Sequence, residues 1–344
     1  GGGGIEDSEV FSGLVVATGV TWHPRLPRIP GAEPGPGGAD RPEIRHSRSY
    51  RSPEEFAGRR VLVVGGGNSG VDIACDAAVS AERALLSLRR GYHFVPKYVF
   101  GTPSDVFAHS GPPLPAWLEQ RLFGFLIRRV LVGDLTRFGL PKPDHPILSS
   151  HPIMNTRVLH HLGHGDLEAR PDVKAIEGRE VVFVDGARDE VDLVLLATGY
   201  RRAYPFLELP RFEGIAREDR EIRPGELHLT LLDREFPTLA FMGIFETDGA
   251  AYDLFARQAE VVADTLLALR GDGAADVRHR VATGRSDQRG GNRYIDSPRH
   301  DFYVTGRAYR RALAAMAGAL ETAGASRPRR PPSASSAMAP SRFF

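Results

Sequence analysis

The stretch from Arg60 to Ala74 constrains the fold of this chain more than any other stretch. Residues 61–64 are all apolar and three of them are β-branched, which is typical of a strand buried on both faces in a parallel sheet. Gly65, Gly67 and Gly70 follow with the spacing G-x-G-x-x-G, and a helical run comes next. In a strand-to-helix turn, this spacing lets the backbone approach a pyrophosphate, which then sits at the positive end of the helix. A plain structural turn is the alternative, because glycine triplets also arise by chance in a chain with 38 glycines.

The next predicted strand, residues 84–90, indicates which dinucleotide the turn would bind. Sites for NAD usually carry a carboxylate about 20 residues after the glycines, where it accepts a hydrogen bond from the ribose 2′-hydroxyl. Here the strand ends in Arg89-Arg90 and carries no carboxylate. Two guanidinium groups suit a 2′-phosphate, so the sequence predicts NADP(H). The alternative is a basic strand end that only faces solvent.

Two further strands end in the same three residues and suggest how the domains are arranged. Residues 12–16 lead into Ala17-Thr18-Gly19, and residues 191–196 lead into Ala197-Thr198-Gly199. The two copies are about 180 residues apart and bracket the glycine turn. Small residues there let the backbone lie close to a ligand beyond the strand ends. We therefore predict an α/β fold in which one Rossmann-like nucleotide-binding domain is inserted into part of another, and we keep open that the two strand ends are unrelated.

The predicted organisation follows from these motifs and from local composition. At 344 residues, the chain is long enough for two domains. Residues 1–50 would be part of the outer domain with a proline-rich hinge, and residues 51–200 the inserted domain, with a helical insertion over about 101–165. Residues 201–323 would return to the outer domain, with helices over 254–269 and 308–321. Residues 324–344 have the composition of a disordered tail.

An amphipathic helix is predicted over residues 116–133. Its apolar side chains are Leu118, Leu122, Phe125, Leu126 and Val130, and its polar face carries Arg121, Arg128 and Arg129. Core packing is the first expectation for the apolar face. Peripheral contact with a membrane surface, or a role at a substrate entrance, is the alternative.

Composition excludes several classes of protein. The net charge of +1 gives no reason to expect nucleic acid as a partner. The single cysteine, Cys75, excludes an internal disulfide, and a cytoplasmic location follows as the default. No window reaches 18 apolar residues, so no transmembrane segment is predicted. His160, His161, His164 and Asp166 are candidate metal ligands, and His160 and His164 lie four apart on a predicted helix. Because Gly163 and Gly165 end that helix and no further ligand cluster follows, we predict no metal site.

Five motifs occur along the chain in a fixed order. They are Val15-Val16-Ala17-Thr18-Gly19 with Pro27-x-x-Pro30-Gly31, His46-x-x-x-Tyr50, Gly65-x-Gly67-Asn68-Ser69-Gly70, Ser87-x-Arg89-Arg90-Gly91, and Leu195-Leu196-Ala197-Thr198-Gly199-Tyr200. As an ordered set, over about residues 13 to 320, they resemble the flavin-containing monooxygenases that have two dinucleotide-binding domains. Two departures stand out. Asp40 and Pro42 occupy the positions where the family fingerprint before His46 has Phe and Gly, and a second glycine turn for FAD is absent.

The resemblance implies FAD and NADP(H) as cofactors and O2 and a small molecule as substrates. It also implies cofactor-binding roles for the following motif residues: Ala17, Thr18, Gly19, His46, Tyr50, Gly65, Gly67, Asn68, Ser69, Gly70, Ser87, Arg89, Arg90, Ala197, Thr198 and Gly199. In the family, NADPH reduces FAD, and a hydroperoxide at flavin C4a then transfers one oxygen to a soft nucleophile. Tyr50, where a Trp would favour a Baeyer–Villiger enzyme, points to an N- or S-oxygenase. We expect a chain that lacks an N-terminal FAD-binding segment; a non-catalytic NADP(H)-binding relative without flavin is the alternative.

Overall fold

The computed structural model describes residues 9–109, 116–147 and 149–324. The chain divides into two compact units, which are described separately. The larger unit consists of residues 19–222 and 291–303, and the smaller unit of residues up to 18, residues 223–290 and residues from 304. The predicted disordered tail lies outside the described residues, apart from Gly324.

The helices and the longer strands are numbered in chain order. The strands of three or more residues are β1 (Leu14–Val16), β2 (Glu43–His46), β3 (Arg60–Val64), β4 (Arg83–Ser87), β5 (Glu168–Arg170), β6 (Val173–Glu177), β7 (Glu180–Phe183), β8 (Arg188–Glu190), β9 (Leu193–Leu196) and β10 (Leu239–Phe241). The helices are α1 (Asn68–Ser80), α2 (Ser104–His109), α3 (Ala116–Leu126), α4 (Arg157–His164), α5 (Tyr252–Ala268), α6 (Ala274–Thr283) and α7 (Gly306–Thr322).

A five-stranded sheet organises the larger unit. Its strand order is β2-β9-β3-β4-β5, and every neighbouring pair is parallel. The strand before the glycine turn, β3, is central, and its Val64 is opposite Leu196 of β9. Because parallel strands place their carboxyl ends at one edge of the sheet, the ends of β3, β4 and β9 lie side by side.

Both faces of this sheet are covered, as the uninterrupted apolar run in β3 predicts. Val61 and Val63 pack on one face with Val71 and Ala74 of α1. Leu62 and Val64 face the other way and join a core with residues of the antiparallel sheet β6-β7-β8. The mixed α/β fold with a Rossmann-like parallel sheet is thus confirmed.

The smaller unit has a short sheet and a helical core. Strand β1 pairs in parallel with β10, with Val16 opposite Phe241. Helices α5 and α7 pack against each other around Leu254, Val261 and Leu313. The two helices predicted here, over 254–269 and 308–321, agree with α5 and α7 to within two residues at each end.

The amphipathic helix is only partly as predicted. Helix α3 ends at Leu126, and a π-helical turn, Ile127–Leu131, continues it. Core packing of the whole apolar set is wrong, because Leu122, Phe125 and Val130 are each more than half exposed. Ile127 instead is buried, in a small cluster with Val95 and Ile147. None of the helices in the described residues combines the length and apolar character needed to cross a membrane.

Candidate dinucleotide-binding site

The glycine turn joins β3 to α1 in a conformation that only glycine allows. Gly65 has a φ of +118°, and a Cβ there would lie 2.5 Å from the carbonyl oxygen of Ala197. A Cβ on Gly70 would overlap the carbonyl oxygen of Gly65. These two glycines therefore let α1 start close against the ends of β3 and β9, as the fingerprint spacing requires.

Gly67 differs from the other two glycines because the space beside it is open. It is the N-cap of α1, and its φ of −74° suits any residue. Outside the turn and its helix, the nearest heavy atom to a Cβ at this position is Nη1 of Arg299, at 4.0 Å. The first N–H groups of a helix have no partner within the helix and attract anions. The turn therefore fits the pyrophosphate of a dinucleotide, with Gly67 leaving room for its approach.

The other predicted residues at the start of α1 differ in exposure. Ser69 is exposed in the first helical turn. The side-chain oxygen of Asn68 accepts a hydrogen bond from the backbone N–H of Met154, at 3.1 Å. Asn68 thereby holds the loop before α4 against the turn.

The end of β4 lies directly beside the turn. The N–H of Gly65 donates to the carbonyl oxygen of Ser87, at 3.0 Å. The Ser87 hydroxyl is buried and donates to the carbonyl oxygen of Pro171, at 2.7 Å, so it helps to fix the strand end. Arg89 is exposed, and within the described ranges its guanidinium takes part in no hydrogen bond or ion pair. It is a cation available to a ligand at this strand end.

Arg90 is engaged by an acidic residue that the sequence did not single out. Its Nη2 donates to both carboxylate oxygens of Asp144. Asp144 lies in the segment between α3 and α4. Asp144 also accepts from Nδ1 of His145, at 2.7 Å. The His145 and Arg90 hydrogen bonds lower the pKa of Asp144 to about 2, so the carboxylate is ionised at neutral pH.

The second Ala-Thr-Gly sequence adjoins the glycine turn, and His46 is bonded to it. The N–H of Ala197 donates to the carbonyl of Val64, and the Thr198 hydroxyl donates to that of Arg25. Nδ1 of His46 accepts from the N–H of Arg48, so Nε2 carries the proton and donates to the carbonyl of Gly199, at 3.0 Å. Burial lowers the pKa of His46, in keeping with this neutral tautomer.

His46 also lines an open cleft in the larger unit. The cleft has a volume of about 620 Å³, and Trp22 and Arg51 are among its lining residues. The guanidinium carbon of Arg48 lies 5.3 Å from the centre of the Trp22 ring. Arg48 and Arg51 give the cleft a basic rim, which would attract an anionic group.

Tyr50 packs against α1. Its ring stacks on Phe56 with centroids 5.1 Å apart, and its hydroxyl donates to a carboxylate oxygen of Asp76, at 2.8 Å. Burial raises the pKa of this phenol. The contacts give Tyr50 a role in fixing the segment after β2.

The first Ala-Thr-Gly sequence lies where the chain passes between units. Ala17 and Thr18 follow β1 in the smaller unit, and Gly19, with a φ of +80°, begins the larger unit. The cofactor-binding roles of these residues, and of the other motif residues, stay predictions.

No local sequence pattern predicts a second set of contacts, which lies behind the turn. Asn155 is buried, and its amide donates to a carboxylate oxygen of Asp72 in α1, at 2.6 Å. Asn155 is 83 residues from Asp72, and Arg299 is 232 residues from Gly67, so no local pattern connects them. Among the described residues, no group of three or more His, Cys, Asp or Glu could hold a metal ion.

Comparisons with known proteins show the family to which the chain belongs. A family model described as flavin-binding monooxygenase-like matches residues 2–274. Flavin-containing monooxygenase 5 of Oryctolagus cuniculus is 31% identical over 321 residues, covering 86% of this chain and 55% of that protein. The Homo sapiens protein of the same name is 31% identical over 310 residues, with the same coverage. The chain thus spans about half the length of these curated relatives.

A solved structure shares the fold at low sequence identity. Cyclohexanone monooxygenase from Rhodococcus sp. Phi1, bound to NADP+, has a TM-score of 0.56 and 15% identity, covering 90% of this chain and 73% of that one.

The chain belongs to the flavin-binding monooxygenase-like family, a family of NADPH-dependent flavoprotein enzymes. FAD and NADP(H) are the cofactors that this membership brings. The glycine turn and Arg89 fit NADP(H). The described residues contain no second strand–glycine turn–helix unit that would fit the FAD pyrophosphate.

Proposed function

We propose that this chain serves an NADPH-dependent flavin monooxygenase that transfers one atom of O2 to nitrogen or sulfur in a small molecule. The observation that carries the proposal is the open glycine turn at Gly67 next to the exposed Arg89, in a chain of this family. In this reaction class, the bound flavin is the group that reacts with O2.

The chain's own residues bind and orient the reductant in this proposal. The turn and the first N–H groups of α1 hold the pyrophosphate of NADP(H). Arg89 holds the 2′-phosphate through charge-assisted hydrogen bonds. His46 and Thr198 fix the backbone of the second Ala-Thr-Gly sequence beside the turn, through the hydrogen bonds to Gly199 and Arg25.

The choice of nitrogen or sulfur follows from the resemblance at Tyr50. Since Tyr50 is engaged with Asp76 and Phe56, its influence on substrate would be indirect. Product analysis decides this part of the proposal: an N-oxide or S-oxide supports it, and an ester formed from a ketone contradicts it.

The test of the activity is an optical and oxygen-uptake assay of the purified full-length gene product. The proposal predicts flavin absorbance near 450 nm and NADPH oxidation that consumes O2 and rises with an amine or sulfide. NADP+ binding without flavin absorbance or O2 uptake would contradict it and favour the non-catalytic NADP(H)-binding relative.

We also propose that α3 and the turn after it touch a membrane surface at the periphery of a cytoplasmic protein. Leu122, Phe125 and Val130 are exposed there, beside the exposed Arg121 and Arg129. Exposed apolar side chains flanked by cations favour an anionic bilayer surface. Flotation with vesicles of anionic lipid should recover the wild-type protein and much less of Phe125→Glu. Equal recovery of the two proteins would contradict this contact.

A further inference from the structure

Arg299 lies at the open side of the glycine turn, although it is far away in sequence. Its Nη1 atom is 4.0 Å from the position of a Cβ on Gly67, the side of the turn that is otherwise open. Arg299 belongs to residues 291–303, which the chain contributes to the larger unit after passing through the smaller one. A cation from a separate segment therefore faces the place where a dinucleotide would bring its pyrophosphate.

Several hydrogen bonds hold this segment in place. The N–H of Ile295 donates to the carbonyl of Ser149, at 2.8 Å, and the N–H of His151 donates to Nε2 of His300, at 3.2 Å. The same loop is bonded to α1, since the N–H of Met154 donates to Asn68. The segment that carries Arg299 is thus connected through one loop to the first residue of the helix.

Local contacts also hold the backbone around Arg299. A short 3₁₀ turn, Pro298–His300, contains it, and the Ser297 hydroxyl accepts the N–H of Arg299, at 3.3 Å. The ring of Tyr294 stacks on that of His300, with centroids 5.7 Å apart. The neighbours of Arg299 are therefore anchored on both sides.

The geometry points to Arg299 as a binding residue for the pyrophosphate of the dinucleotide held at the turn. A guanidinium matches two phosphate oxygens, and it would add its charge to the positive end of α1. This inference rests on the proposed NADP(H) site. It assigns Arg299 to the part of the ligand that NADP(H) and NAD(H) share, whereas Arg89 is assigned to the 2′-phosphate.

Titration calorimetry with two probes separates these roles. Adenosine 2′-monophosphate carries the 2′-phosphate without a pyrophosphate, and NADP+ carries both. Arg299→Ala and Arg299→Gln should weaken NADP+ binding about 10- to 100-fold and leave adenosine 2′-monophosphate binding unchanged. Arg299→Lys should recover part of the loss. Arg89→Ala should weaken the binding of both probes.

Arg293→Ala is the matched control, because Arg293 is an exposed arginine in the same segment. It should bind both probes as the wild type does. Wild-type affinity of Arg299→Ala for NADP+ would overturn the role of Arg299 while leaving the proposed site intact. Loss of both probes in Arg299→Gln would also overturn it, since the change would then not be specific to the pyrophosphate. A wild-type protein that does not bind NADP+ would overturn the site itself.

Discussion

Arg90 donates from Nη2 to both carboxylate oxygens of Asp144, at 2.9 and 3.0 Å, whereas its neighbour Arg89 is exposed. Two adjacent arginines in the bend after β4, which ends at Ser87, are therefore not equivalent. The hydrogen bonds of Arg90 hold the segment that contains Asp144 near the end of β4. Arg89 is the residue of the two that a phosphate would meet first.

The two arginines should respond differently to substitution. Arg89→Ala should weaken NADP+ binding by about 1–3 kcal/mol and leave NAD+ binding nearly unchanged, because a charge-assisted hydrogen bond to the 2′-phosphate is lost. Arg90→Ala should weaken NADP+ binding less than Arg89→Ala does, since the Arg90 guanidinium already forms hydrogen bonds to Asp144. Equilibrium titration with both nucleotides measures this. Arg188→Ala, at an exposed residue of β8, is a control. Equal losses for NADP+ and NAD+ would contradict the assignment of Arg89.

Asp144 should oppose the binding of a 2′-phosphate. Asp144→Asn removes a negative charge beside Arg90 and releases its guanidinium, so NADP+ should bind more tightly by about 0.5–1 kcal/mol, with little change for NAD+. The difference should shrink at high salt because the groups are near solvent. Titration at two ionic strengths checks both statements. Weaker NADP+ binding in the variant would show that Asp144 positions Arg90 for the ligand.

Gly67 and Gly70 allow a matched comparison of folding and binding. Gly70→Ala should lower the free energy of unfolding by about 2 kcal/mol or more, because its Cβ meets the carbonyl of Gly65. Gly67→Ala should cost less than about 1 kcal/mol, since φ is ordinary and the space is open. Gly67→Ala should nevertheless weaken NADP+ binding, because its Cβ would fill the open space where the pyrophosphate approaches the turn. Denaturant unfolding and nucleotide titration distinguish the two, and a stable Gly70→Ala would contradict the close packing at the turn.

The free energy of unfolding of the smaller unit should decrease at acidic pH because of the protonation of His228. Burial, with help from Arg234, lowers the pKa of His228 to about 4, and one of its ring nitrogens lies 3.3 Å from the carbonyl oxygen of Gly284. Between pH 6.5 and about 4, the unfolded chain binds a proton that the folded chain does not, so stability falls as the pH falls. The full effect is roughly 3 kcal/mol.

The measurement for His228 is the denaturation midpoint from pH 7 to pH 5. His228→Gln should make this dependence shallower, because glutamine keeps an amide donor and does not titrate. His279→Gln, at an exposed histidine of the same unit, should leave the slope unchanged. A slope in His228→Gln as steep as in the wild type would contradict the assignment.

The central sheet and the turn could be predicted from the sequence because their signals are local. The apolar run of β3 shows burial on both faces, and the glycine spacing fixes the tight junction with α1. The amphipathic helix shows where such signals stop. Periodicity gave α3 an apolar face, but only tertiary contacts decide that Ile127 is buried while Phe125 is exposed.

The candidate site could be predicted only along the stretches that hold its motifs. Gly65, Gly67, Gly70 and Arg89 follow from spacing, and the structure brings their elements together. Asp144 and Arg299 could not be predicted in this way, because their positions depend on a loop and on a return of the chain from the other unit. Tyr50 and Ser87 occupy motif positions, but their hydroxyl groups donate hydrogen bonds within the protein, to Asp76 and Pro171 respectively.

The most direct test of the account is calorimetric titration of the purified protein with NADP+ and with NAD+, repeated on Gly67→Ala. The account predicts that the wild type binds NADP+ at least about tenfold more tightly than NAD+, and that Gly67→Ala loses affinity for both. Equal affinity for the two nucleotides, or wild-type binding by Gly67→Ala, would contradict it.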